Sequence, residues 1–217
     1  MTLRRRSFSQ AAAAVAATAF FPSLANAQLK GPVAGTDYQV LETRASVEAP
    51  AGKIEVVEFF WYSCPHCNSF EPTLNQWVKK LPKDVAFRRV PIAFNDTFVP
   101  QQRLYYTLEA MGLLDKLHAK VFEAIHVEKL KLASGEAIVE WVGKNGVDQA
   151  KFLAQYNGFG VVTKAQRASQ LQNAYKVEGV PALGVAGRFY TDGSMAKSME
   201  RALQVVEALT AAIRAKG

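Results

Sequence analysis

The chain has 217 residues, 49% of them hydrophobic and 21% charged, enough apolar material to build a core without covalent staples. Its formal charge of +7 rests partly on Arg4, Arg5 and Arg6, and beyond them basic and acidic residues are interleaved: Lys79 and Lys80 with Lys83 and Asp84, Lys129 and Lys131 with Glu128. With no clustered basic face and no interleaved base-stacking aromatics, a nucleic-acid binder is excluded.

Residues 1–27 read as an export signal, with the three arginines, an apolar alanine-rich run over residues 11–21 and a small-x-small close at Ala25, Asn26 and Ala27. Cleavage near Ala27 leaves a chain starting near Gln28, with 23 basic against 19 acidic residues, a net of about +4. The apolar run is shorter than the roughly 20 residues of a spanning helix, so a membrane anchor is not expected. Arg5-Arg6-Ser7-Phe8 resembles a twin-arginine signal, which leaves the export route open. Either route in a bacterium leads to an oxidising compartment, where disulfides persist.

In chain order, a short strand is expected at residues 38–42 and a stronger one at residues 53–63, where "KIEVVEFFWYS" is rich in β-branched and aromatic residues. This second strand is almost continuously apolar over residues 56–61 apart from Glu58, the pattern of burial on both faces inside a sheet. From Pro65 to about Leu81 apolar residues recur at three- and four-residue steps, predicting a helix that "LPKD" ends. A strand follows in "VAFRRVPIAF", closed by Pro91 or running just past it. Residues 95–160 show only helical periodicity, broken near Gly112, Ser134-Gly135, Asn145-Gly146 and Asn157-Gly158, and predict about four short helices. One more helix over residues 163–177, two strands around a turn at Ala186-Gly187, and a terminal amphipathic helix complete the chain. The order βαβ, helical block, α, ββ, α describes an α/β unit interrupted by a helical insertion.

Cys64 and Cys67 are the only cysteines, in the stretch "EFFWYSCPHCNSFEP". A structural zinc site wants four ligands, and His118 and His126 lie in other sequence neighbourhoods, as ordinary helix residues. As a staple, a four-residue loop contributes about 2 kcal/mol at best. A redox pair explains the placement better. Cys64 falls where a strand ends and a helix begins, with Pro65 at the first helical position, where its missing N–H costs nothing. The Cys64 sulfur then faces the free N–H groups of His66 and Cys67 and the positive end of the helix, so its thiolate is stabilised. A charged His66 on the same turn lowers the thiol pKa further. A pKa near ~4 would stabilise the dithiol form at pH 7 by about 4 kcal/mol, roughly 90 mV for a two-electron couple.

"VVEFFWYSCPHCNSFEP" resembles the active site of the DsbA family of periplasmic thiol:disulfide oxidoreductases. That family is itself the standard example of a low thiol pKa and an oxidising disulfide. The resemblance implies a thioredoxin fold with an inserted helical domain: residues 28–94 as its first part, 95–162 as the insertion and 163–217 as its second part. It implies catalytic roles for Cys64, Cys67, His66 and Pro65, and a buried proton acceptor at Glu58. Arg88 or Arg89 is the nearest counterpart of a buried basic residue that the family carries. Pro72 stands where thioredoxin-like helices carry a kinking proline, with no function expected of it. "EGVPALGV" resembles the cis-proline loop of thioredoxin folds, which makes Val180 and Pro181 substrate-binding residues, the Val180 backbone pairing with an extended polypeptide.

The expected activity is donation of the Cys64-Cys67 disulfide to unfolded or reduced exported proteins in the periplasm. The resemblance adds reoxidation by a DsbB-like quinone-linked membrane oxidase, with no soluble cofactor and no metal. A monomer is expected, since about ten residues between the mature start and the first strand leave no room for a dimerisation domain. The alternatives are a disulfide isomerase or reductase on the same fold, or a non-redox peptide-binding chaperone.

Overall fold

The structure, a computed structural model, describes residues 31–216. The expected export signal lies outside the described residues. The strand anticipated at residues 53–63 forms as β2, Ile54–Phe60, and all seven of its residues are buried. β3, Val85–Pro91, pairs with it in parallel, and β4, Ala182–Val185, pairs antiparallel on its other side. β5, Phe189–Asp192, returns beside β4, and β1, Gln39–Val40, closes the edge, giving the order β1-β5-β4-β2-β3. β1 is shorter than expected because only Gln39 and Val40 find partners on β5, and both stay exposed at the sheet edge. The β4–β5 connection turns at Ala186 and Gly187, both with positive φ, the conformation that suits a tight hairpin.

Helix α1, Pro65–Val78, leaves the end of β2 and runs through Pro72. After a 3₁₀ turn at Asp96–Phe98 come α2, Val99–Ala110, α3, Leu114–His126, α4, Gly135–Lys144, and α5, Gln149–Tyr156. The next helix, α6, Phe159–Ala174, begins four residues before the expected Thr163, because Gly158 takes an extended conformation and serves as its N-cap. The boundary drawn between residues 162 and 163 therefore falls inside a helix. A short helix α7, Gly193–Ala196, was not anticipated; Asp192 caps it by accepting the Ser194 and Met195 N–H groups at 2.8 Å. The terminal amphipathic helix forms as α8, Met199–Arg214.

One face of the sheet is covered by α1 and α8, where Val56 and Leu183 pack with Phe70, Leu74, Val205 and Val206. On the other face Val57 and Phe59 meet Leu171 and Tyr175, and this core continues through Phe60 into Leu104, Leu117, Val121 and Phe152 of the helical block. The architecture is a thioredoxin fold interrupted by helices, as the element order anticipates. Gly184 of β4 lies directly under the ring of buried Tyr175, whose hydroxyl accepts the Gly187 N–H at 3.0 Å. A methyl group at residue 184 would collide with that ring. Gly184→Ala is accordingly expected to lower stability by about 1–3 kcal/mol, read as a lower urea midpoint at unchanged m-value.

Candidate active site

Cys64 occupies the N-cap of α1 in an extended conformation, φ −80° and ψ 118°, with Pro65 at the first position of the helix. Its Sγ accepts the Cys67 N–H at 3.4 Å and donates to the Val180 carbonyl at 3.3 Å. The Val180–Pro181 bond is cis. Cys64, His66, Val180 and Pro181, spread over more than a hundred residues of sequence, thus meet at one end of the sheet. Both cysteines are unlinked thiols in this structure. Cys64 keeps 8% of its surface and Cys67 none.

The two sulfurs differ sharply. The hydrogen bond from the Cys67 side chain pulls the Cys64 thiol down to about 6; burial opposes it, and the backbone N–H groups of Cys67 and His66 help. The charge of the His66 ring contributes least of these, since His66 is exposed to solvent. Burial pushes the Cys67 thiol far up, and the neighbouring Cys64 adds to it. The Cys64 thiol is therefore less depressed than the expected value near ~4, and His66 lowers it in the expected direction as the smallest of these contributions. With about one pH unit below neutrality, thiolate stabilisation at pH 7 amounts to about 1.4 kcal/mol, roughly 30 mV. The helix terminus and the second cysteine supply most of it.

Beneath the cysteines lies a buried charge cluster. Glu58 is fully buried, and the pairing of β2 with β3 sets it opposite Arg89. Because side chains alternate across a strand, Arg88 points to the other face, where it meets Glu55 at 3.0 Å and Glu48 at 3.6 Å. Of the two candidate basic residues, Arg89 is therefore the one beside Glu58. Arg89 Nε stands 3.0 Å from Glu58 Oε2 and 3.2 Å from Glu71 Oε1. Its N–H donates to Glu71, which also accepts Arg89 Nη2 at 3.2 Å, Asn75 Nδ2 at 2.9 Å and a contact from His118 Nε2 at 3.3 Å. Neither Glu58 oxygen has a hydrogen-bond partner among the described residues. Burial pushes the Glu58 carboxyl up to about 8 against the pull of the Arg89 charge. Burial also works on Glu71, but the hydrogen bond from His118 and the Arg89 charge hold it below the usual carboxylate range.

Sequence reading missed how the helical block grips the segment before Cys64. Gln101 of α2 accepts the Ser63 N–H at 3.1 Å and donates to Ser63 Oγ at 2.7 Å and to the Leu132 carbonyl at 3.0 Å. His126 of α3 donates to the Tyr62 carbonyl at 2.8 Å, and His118 meets the Tyr62 hydroxyl at 2.8 Å. The two histidines were read as ordinary helix residues because they are distant in sequence. Their signal was the four-residue spacing of His118, Phe122 and His126, which places all three on one face of α3.

A cleft of about 360 Å³ opens beside Cys64, lined by His66, Val180, Pro181, Asp192, Ser194 and Met199 among others. A larger one of about 520 Å³, around Arg88 and Arg167, includes neither His66 nor Val180 and Pro181. Among the described residues no group of three or more His, Cys, Asp or Glu side chains could hold a metal ion.

Residues 85–204 match the DSBA-like thioredoxin domain family, more than half of the chain. The chain belongs to the DsbA family. It is 44% identical over 200 residues to the thiol:disulfide interchange protein DsbA of Bordetella pertussis, 92% of each chain, a span long enough to include Cys64 and Cys67. With the protein of the same name from Burkholderia cepacia it shares 39% over 193 residues, 89% of this chain and 91% of that one. The crystal structure of Pseudomonas aeruginosa DsbA superposes with a TM-score of 0.81 at 42% identity, over 85% of this chain and 96% of that one. This DsbA-family protein is a thiol:disulfide oxidoreductase.

Proposed function

We propose that the protein is a disulfide oxidase that donates a Cys64-Cys67 disulfide to newly exported, reduced polypeptides in the periplasm. The observation that carries this reading is the asymmetry of the pair: Cys64 at a helix N-cap with a lowered thiol, Cys67 fully buried with a raised one. In the oxidised protein a client thiolate attacks the Cys64 sulfur, and the Cys67 sulfur leaves, taking up a proton. A second client thiolate then attacks the client sulfur of the mixed disulfide, and Cys64 leaves as a stabilised thiolate. The client loses two electrons and the enzyme gains them as a dithiol.

Val180 fits a role in holding the client. While Cys64 is in a disulfide it carries no proton, and the Val180 carbonyl, which accepts the Cys64 S–H in the dithiol form, is free to accept an N–H from an extended client backbone. Such pairing is tolerant of sequence, and the adjoining cleft beside Pro181 offers room for a side chain. Glu58 exchanges a proton with Cys67: it can supply one to the leaving Cys67 sulfur, and in its ionised form it accepts the Cys67 proton when the ring closes again. Reoxidation falls to a DsbB-like quinone-linked membrane oxidase, with the protein acting as a monomer, exported by its cleaved signal and needing no soluble cofactor. Among the described residues no helix is long and apolar enough to cross a membrane.

Equilibration of the purified protein with glutathione buffers tests the direction of transfer. Trp61 reports it: the Trp61 carbonyl accepts the Cys64 N–H at 3.0 Å, and the ring packs on Phe98 with centroids 4.2 Å apart. The expected potential is more positive than about −180 mV, the range of dithiol oxidants, and a value near about −270 mV would make the protein a reductase instead.

A further inference from the structure

Two carboxyl groups, Glu58 and Glu71, share the single guanidinium of Arg89 at 3.0 and 3.2 Å, in a site where one of them is fully buried and the other nearly so. One positive charge balances only one carboxylate there, so the pair holds a proton at neutral pH, and its location depends on which oxygens receive hydrogen bonds. Glu71 collects the larger share of the donors, from Arg89 Nε and Nη2, Asn75 Nδ2 and His118 Nε2, while Arg89 Nη2 also reaches Asn75 Oδ1 at 2.8 Å and, among the described residues, Glu58 is approached by Arg89 alone.

His118 is the donor supplied by the helical block. It sits on α3, buried among the rings of Phe60, Tyr62, Tyr105 and Phe122. A single tautomer satisfies both of its contacts: the Tyr62 O–H donates to Nδ1 at 2.8 Å, and Nε2–H donates to Glu71 Oε1 at 3.3 Å. The ring is neutral in that arrangement, in keeping with the burial that lowers its pKa. It does not occupy a dry interior alone, since His118, Arg89, Asn75, Tyr105 and Asp115 line a cleft of about 210 Å³.

We propose that His118 is a positioning residue for the redox chemistry: by donating to Glu71 it fixes the negative charge there, so that Glu58 carries the proton exchanged with Cys67. This deepens the proposed function and rests on its assignment of Glu58 as the proton partner of Cys67. The groups that bear on Glu58 are Arg89 from β3, Glu71, Cys64 and Cys67 at α1, Tyr62 after β2, and Tyr105 from α2. Across β4 its register partner is Leu183, which carries no charge. Two of these groups hydrogen-bond with His118, Glu71 and the Tyr62 hydroxyl, and of the two only Glu71 is a carboxylate that receives its N–H, so the charge that His118 fixes beside Glu58 is that of Glu71.

The test is a site-resolved carboxyl titration of Glu58 and Glu71 by carbon NMR in the reduced protein. His118→Phe keeps a ring of similar size and removes the donor. It is expected to lower the Glu58 midpoint by about one pH unit and to raise that of Glu71, the proton passing to the carboxyl that lost a charge-assisted bond. His118→Gln keeps an amide donor and is expected to restore the midpoints. An unchanged Glu58 midpoint in folded His118→Phe overturns the proposal, and so does a His118→Gln protein shifted as far as the Phe variant. Should His118→Phe not fold, His118→Met carries the same expectation. Reoxidation rates of Glu58→Gln test the underlying assignment separately: rates equal to wild type would remove Glu58 from proton exchange, whatever the titrations of the His118 variants show.

Discussion

Cys67→Ala is expected to accumulate a stable mixed disulfide with a disulfide-containing peptide, while Cys64→Ala forms none and loses all oxidase activity. Both outcomes follow from the geometry around α1. In Cys67→Ala the Cys64 sulfur is retained, on a residue that keeps a little exposed surface, and its thiolate attacks the peptide disulfide, releasing one peptide thiolate. No neighbouring sulfur remains to displace the bound half, so the adduct persists until an outside thiol removes it. In Cys64→Ala the surviving sulfur is that of Cys67, which is fully buried and whose thiol burial pushes up. A thiol without access and without thiolate character at neutral pH is inert. Intact mass measured under non-reducing conditions separates the cases. An adduct on Cys64→Ala would reverse the assignment of the two cysteines, and a Cys64→Ala protein with full activity in refolding a reduced client would mean a chaperone instead of an oxidase.

Arg89→Met is expected to be the most damaging single change in the charge cluster, lowering stability at pH 8 by about 3–5 kcal/mol. Removing one partner of a buried ion pair leaves its counterpart uncompensated, and here two carboxyl groups lose the same cation. For a domain of this size that corresponds to a fall in Tm of roughly 10 °C. The pH dependence distinguishes this cause from lost packing. A carboxyl whose folded-state pKa is raised contributes stability that is fully present below its unfolded value and is lost as pH rises through the folded value. Glu58 in the wild type already behaves so, between about 4.5 and about 8. Glu71, held low in the wild type by His118 and Arg89, joins it when Arg89 is gone. The deficit of Arg89→Met relative to wild type is therefore largest in alkaline buffer and shrinks toward pH 4. The double variant Arg89→Met with Glu58→Gln recovers part of the loss by removing one of the stranded charges. Urea titrations of the three proteins at pH 4 and pH 8 measure both effects, and a deficit that does not change with pH would assign the loss to packing alone.

The separation between what can be read along the chain and what cannot follows from the range of the forces involved. "SCPHC" after an apolar strand is local information: a strand end, a helix N-terminus and Pro65 at the first helical position specify where the Cys64 sulfur sits relative to two or three backbone N–H groups. The same holds for β2, whose unbroken apolar pattern marks it as the centre of the sheet, and for the turn at Ala186 and Gly187. The depth of the Cys64 thiol was less legible, because burial opposes the helix terminus and burial belongs to the folded molecule.

The buried cluster shows the limit plainly. Glu58 was visible as a carboxyl in an apolar strand, yet the choice between Arg88 and Arg89 required the register of β2 on β3, and alternation then sent one guanidinium to each face. The pairing of Glu71 with His118 had no local sign, beyond the place of His118 on one face of α3, since it depends on α1 and α3 meeting 47 residues apart in sequence. By itself the sequence determined the chemistry available: two sulfurs one helical turn apart at a strand-to-helix junction, in a chain otherwise able to fold without them. Only the tertiary structure decided which charges surround those sulfurs. Hydrogen bonds and desolvation act over a few ångströms, and the residues within that distance are brought there by strand register and helix packing.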